Sequence, residues 1–192
     1  MSGRDKFKKN KKIIILFCKV LNVFSKKFQY KLYSKFNHGE SKFKILFRYC
    51  ILKNICKKIG DNVYIGSDVT IKNYENLSIG ENVSIHKNSY LDALGEIVIG
   101  DNVSIATDSK IISFNHTWND VSIPIKYNEL SLQKIEISDD VWIGAGAIVL
   151  AGNKIGNRVV VGALSVVTKN LESNSVYAGN PARLLKKIGE DK

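Results

Sequence analysis

An aliphatic residue returns every six positions over most of this chain, and that period constrains the fold more than any other feature. The string IGDNVYIGSDVTI begins at Ile59, IGENVSIHKNSYL at Ile79 and IGDNVSIATDSKI at Ile99, with ISDDVWIGAGAIV from Ile137 and IGNRVVVGALSVV from Ile155. The ladders run Ile59, Ile65, Ile71; Ile79, Ile85, Leu91; Ile99, Ile105, Ile111; then Ile137, Ile143, Val149, Ile155, Val161 and Val167. A period of six is neither that of a helix nor that of a simple strand. Self-similarity at a fixed spacing defines a solenoid. Four places after the ladder positions stand small or β-branched residues: Val63, Val69, Val83, Ser89, Val103, Ser109, Val141, Ala147, Val159 and Ser165. Each short strand therefore turns two side chains inward, and Gly, Asp and Asn take the bends. Three hexads close one triangular coil, and five coils stacked at about 4.8 Å make a prism roughly 24 Å tall. The general preference of parallel crossovers would make the coil right-handed.

At 192 residues the chain supports one domain with appended structure. The repeat divides it into a helical segment 1–58, a β-helix 59–176 interrupted by a loop at 112–136, and a tail 177–192. The net charge of +11 is unevenly placed: residues 1–58 hold 17 of the 29 Lys and Arg against two acids, Asp5 and Glu40, so the remainder is slightly acidic. With no nucleic-acid-binding module in the arm and an acidic body, a nucleic-acid partner is not expected. Ile13, Phe17, Val20, Leu21, Phe24 and Phe28 fall at helical spacing within 11–32. Phe43, Leu46, Phe47, Cys50, Ile51 and Ile55 do the same in a second helix, after a turn at 37–41. The second helix is expected to cap the open end of the solenoid. The first either packs on the second or lies on an anionic membrane surface. The apolar run 13–17 is far too short to span a bilayer, and no cleavage site follows it. Cys18, Cys50 and Cys56 show no paired spacing and read as buried thiols, which places the chain in the cytoplasm, at most against the inner face of the membrane.

The hexads, with SFNHTWND, VWIGAGAIV, VVTKN and YAGNPARLLKKI in that order, resemble the hexapeptide-repeat acyltransferases over roughly residues 59–188, and within them the sugar O-acetyltransferase branch. The resemblance implies a left-handed parallel β-helix, an exception to the crossover rule. It also implies a homotrimer, acetyl-CoA as acyl donor, and a saccharide, sugar-nucleotide or lipid-linked glycan as acceptor. Serine acetyltransferases and N-acetyltransferases of nucleotide-linked amino sugars are relatives and stand as alternatives. A non-catalytic solenoid scaffold is the third.

The hexads lapse between Ile111 and Ile137, and His116 lies at the start of that insertion. A neutral imidazole suits the removal of a hydroxyl proton during attack on a thioester. A surface histidine in a loop is the plain alternative, and the family places its catalytic base here, next to Asn115. The resemblance further assigns the backbone amide of Ala145 to the oxyanion. It gives Trp142, Ala163, Thr168, Lys169, Asn180, Pro181 and Arg183 to the coenzyme, and His86, Asn88 and Asp92 with Asn115 to the acceptor. Leu164 stands where the family usually has Gly. No metal is expected, because three histidines do not converge: His38 lies outside the coils.

Overall fold

The computed structural model describes residues 3–189. Three helices, α1 (Gly3–Leu21), α2 (Lys26–Phe36) and α3 (Lys42–Ile55), precede a parallel β-solenoid. Its first face stacks the strands at 58–59, 77–79, 97–99, 135–137 and 154–155. The third stacks those at 70–72, 90–92, 110–112, 148–149 and 166–167. The second is a seven-stranded sheet that rises from Tyr64–Ile65 to Ser175–Ala178 and ends in Arg183–Lys187, which pairs back antiparallel. A partial sixth coil, absent from the hexad count, is thus added above Ile155, where Leu171 continues the first face and Tyr177 the second.

The register explains the period. Ile59 pairs with Ile79 and Ile79 with Ile99; Ile65 pairs with Ile85 and Ile71 with Leu91, so every ladder residue stacks on its own kind. All of them are buried, as are the smaller residues four places on, from Val63 to Ser165. Each ladder Ile or Leu removed from water contributes roughly 1.5–3 kcal/mol before conformational entropy is charged against it. The corners need left-handed backbone, and Asn62, Asp68, Asn82, Asn88, Asn102 and Asp108 supply it at positive φ. Asn and Asp tolerate that region better than other side-chain-bearing residues because their short polar side chains can hydrogen-bond locally.

The helices close the lower end. No coil lies beneath the first, so its downward carbonyls need other donors. Lys53 donates to Ile59 O at 3.1 Å, Arg48 Nε to Ile65 O at 2.9 Å and the Tyr33 hydroxyl to Val69 O at 2.9 Å, one for each face. Arg48 is fully buried in α3, and its Nη1 also reaches the carbonyls of Phe36 and Gly39.

Two expectations for the arm are corrected. The helix expected across 11–32 breaks after Leu21, because Ser25 caps a separate α2 by accepting from the Phe28 amide at 3.3 Å. Only Phe17 and Leu21 of the expected face turn toward α3, while Ile13, Val20, Phe24 and Phe28 point outward. The cysteines are not all thiols either. Packing of α1 on α3 brings Cys18 and Cys50 to a Cα separation of 4.6 Å and they form a disulfide, leaving Cys56 free. Residues 32 apart on two helices carry no sequence signal of pairing. The disulfide removes the cysteine argument for a reducing compartment. Burial pushes the Cys56 thiol well up, so it is a weak nucleophile.

Candidate acyl-transfer site

The insertion in the hexads is an ordered hairpin. Phe114–His116 pairs antiparallel with Leu130–Leu132, with His116 opposite Leu130, and a short 3-10 turn at Ile125–Tyr127 closes the far end. The root of the hairpin is fixed to the third coil: Gln133 N donates to Ser113 O, and the buried Ser113 hydroxyl accepts from Gly95 N, both at 2.9 Å. Gly95 is needed there, since a Cβ would stand 2.1 Å from Ser113 O. The hairpin thus projects from a rigid corner, where functional loops belong. Asn115, His116, Thr117, Trp118, Asn119, Ile125, Ser131 and Gln133 line a cleft of about 680 Å³ on it. Trp118 and Ile125 went unassigned in the sequence, where only the LSL alternation at 130–132 hinted at a return strand.

His116 is exposed, and its ring has no hydrogen-bond partner among the described residues. Asp120, a candidate to orient the imidazole, is already engaged. Its carboxylate accepts from the Ser122 hydroxyl at 2.6 Å and amide at 2.9 Å, and these bonds hold its pKa below the ordinary carboxylate value.

The other candidate residues divide between two corners of the prism. Thr168 and Lys169 follow Val167 at the corner between the third and first faces, the corner from which the hairpin of Asn115 and His116 springs. Ala145, Ala163, Asn180 and Pro181 stack at the corner between the second and third faces: Leu164 N donates to Ala145 O at 2.8 Å, and Ala182 N to Val166 O at 2.8 Å folds the tail over them. His86 and Asn88 occupy the same corner, roughly 10 Å lower by two coil spacings. The amides of Ala145 and Ala163 donate to no acceptor among the described residues. Trp142 lies on the second face, 54% exposed, and Arg183 is exposed at the edge of that sheet. Between the two corners the third face runs from Asp108 to Ser113, roughly 16 Å of extended chain. One chain therefore does not bring His116 together with the Ala145 amide, or Lys169 with Arg183.

Asp92 stands apart from His86 and Asn88. It is buried, and its carboxylate accepts from Asn73 Nδ2 at 2.6 Å and the Tyr90 hydroxyl at 3.0 Å, so its oxygens are spent within the chain. Leu164 adopts φ 58°, the left-handed conformation that Asn88 and Asp108 take below it, and its side chain is 77% exposed over Gly146. For a side chain that can form no local hydrogen bond this costs about 1–2 kcal/mol.

Residues 58–93 and 134–169 match the family model described as hexapeptide repeat of succinyl-transferase. Galactoside O-acetyltransferase of Escherichia coli (strain K12) is 30% identical over 161 residues, 81% of this chain and 75% of that protein. The chain belongs to the hexapeptide-repeat acetyltransferase family. A further relative, WbbJ of E. coli K12, named for O-acetyl transfer in lipopolysaccharide biosynthesis, is 31% identical over 134 residues, 69% of this chain; the chain spans only 61% of WbbJ's length. A hexapeptide-repeat acetyltransferase of Vibrio cholerae O1 biovar eltor, solved as a complex with acetyl coenzyme A, superposes with a TM-score of 0.75 at 25% identity, covering 84% of this chain and 86% of that one. The family's hexad period is thus the physical basis of the prism described above.

Proposed function

We propose that the chain is an acetyl-CoA-dependent O-acetyltransferase that acetylates a hydroxyl of a saccharide by direct transfer, with His116 as general base. The observation that carries this reading is the isolation of His116. It is the one histidine on a hairpin anchored to a rigid coil, its imidazole faces an open cleft, and neither ring nitrogen is committed elsewhere among the described residues. In this reading the acceptor oxygen attacks the thioester carbonyl while His116 takes its proton, and the proton later leaves with the thiolate of coenzyme A. Charge builds on the carbonyl oxygen, and an amide with no acceptor among the described residues, such as that of Ala145, stabilises it without first giving up another bond. Relatives named for galactoside and lipopolysaccharide O-acetylation support a sugar acceptor.

The two-corner arrangement favours a site shared between chains. In a threefold assembly each prism turns one corner toward a different corner of its neighbour, a heterologous contact that closes as a ring. His116 and Lys169 of one chain then face the Ala145, Ala163 and Asn180 corner of the next. Replacing Lys169 and Arg183 together by Ala is expected to raise KM for acetyl-CoA at least about tenfold while moving the acceptor KM little, since charge-assisted bonds to phosphate are worth roughly 1.5–3 kcal/mol each. An unchanged cofactor KM would reduce both cations to surface charge. The reading itself is tested by thiol release from acetyl-CoA in the presence of a saccharide panel. Release that depends on the acceptor supports the enzyme, whereas absence of both release and acetyl-CoA binding points to a scaffold.

A further inference from the structure

We propose that the outer edge of α1, continued through the α1–α2 break, is a docking face for an anionic lipid surface. Ile13, Leu16, Val20, Val23, Phe24 and Phe28 form one exposed stripe, with Ile13, Leu16 and Val23 at 69%, 63% and 84% exposure. On a helical wheel Leu16 lies opposite Phe7, Ile14, Phe17, Cys18 and Leu21, the residues by which α1 packs on the rest of the chain, and Val20 and Ile13 lie beside it on the side toward Phe17. The break does not end the stripe, because Phe24 and Phe28 place their rings 5.1 Å apart across it. The helix is also held in place. Arg4 donates to Asn82 at 3.2 Å and to Asn102 at 3.0 Å, and Lys11 pairs with Asp61, so α1 is pinned along a prism corner with the stripe turned away from it.

Charge selects the occupant. Lys12 and Lys19 border the stripe on α1, and Lys26 and Lys27 border it at the start of α2; all four are exposed and form no ion pair among the described residues. The two acids of residues 1–58 leave these lysines uncompensated: Asp5 lies near the start of α1, and Glu40 is engaged by Ser67 N and the Tyr64 hydroxyl. An apolar strip edged with ammonium groups matches the interface of a bilayer bearing anionic headgroups: the rings and aliphatic chains enter the acyl boundary while the lysines meet phosphate. No described helix is long and apolar enough to cross a membrane, so the helix lies on the surface and does not span it.

The full chain is tested by co-sedimentation with vesicles of phosphatidylcholine alone and with about one third phosphatidylglycerol. It is expected to sediment with the anionic vesicles only, and less as salt is raised. Leu16→Glu, Val20→Glu and Phe24→Glu combined should lower the partition at least about tenfold. Lys12, Lys19, Lys26 and Lys27 changed to Gln should lower it by about fivefold per lysine. Both variants should keep the unfolding midpoint of the parent and its rate on a water-soluble acceptor. Failure of the full chain to sediment with anionic vesicles overturns the proposal, as does a triple Glu variant that binds like the parent. A triple Glu variant with fewer subunits in sedimentation velocity also overturns it, because the stripe would then hold a second copy of the chain.

Discussion

Replacing His116 with Ala is expected to lower kcat by about 100- to 10,000-fold, the range for loss of a general base, while leaving folding, assembly and acetyl-CoA affinity as they were. The magnitude follows from chemistry, since an alcohol that keeps its proton is a poor nucleophile toward a thioester. The selectivity follows from structure. The His116 side chain is exposed and bonds to nothing among the described residues, and the hairpin is held by backbone pairs from Phe114–Leu132 to His116–Leu130 that alanine preserves. Steady-state kinetics for both substrates, with unfolding curves for both proteins, checks all of this. A folded variant with parental kcat would remove His116 from the reaction.

The largest expected effect on stability belongs to Arg48. Arg48→Met should destabilise the chain by about 3–5 kcal/mol, since each buried carbonyl left without a donor costs about 1–3 kcal/mol. The methionine fills much of the volume but donates nothing. It strands Ile65 O at the open end of the solenoid, and the carbonyls of Phe36 and Gly39 where α2 ends, while Asn37 O keeps the Asp68 amide. Glu40 also loses a cation, Nη2 of Arg48 lying 3.8 Å from its carboxylate. Arg48→Lys should recover only part of the loss, because one ammonium cannot reach acceptors spread around a planar fork. Urea unfolding gives the comparison directly. A midpoint within about 0.5 kcal/mol of the parent, the range of a neutral surface change, would show that the helical cap needs no such anchor.

The solenoid core was legible because a period of six assigns each residue a face without reference to anything distant: Ile59 to Val167 and the small residues between them are all where the spacing puts them. Helix α3 was legible for the same reason, through its apolar spacing. The arm before it was not, because Ser25 can cap a new helix or sit within an old one, and tertiary packing decides. Arg48 reads as an ordinary charge among apolar neighbours until the open carbonyls of the first coil stand beside it. Cys18 and Cys50 likewise meet only once α1 lies on α3. In the candidate site, the hexad count locates His116 at an interruption, yet it does not say which prism corner that interruption leaves from. Thr168 and Ala163 are five residues apart in sequence and lie at different corners. Asp92 and Asn88 are closer still, and one is buried while the other is exposed.

The central claim is transfer of an acetyl group from coenzyme A to a sugar oxygen with His116 as base. It is tested most directly by incubating the chain and His116→Ala with acetyl-CoA and a saccharide panel, and analysing the acceptor by mass and by lability to hydroxylamine. The parent should yield an acetylated saccharide whose acetyl group hydroxylamine removes, as it does from an ester, and the variant should yield almost none. A product resistant to hydroxylamine, as an amide is, or equal ester formation by both proteins, would contradict the account.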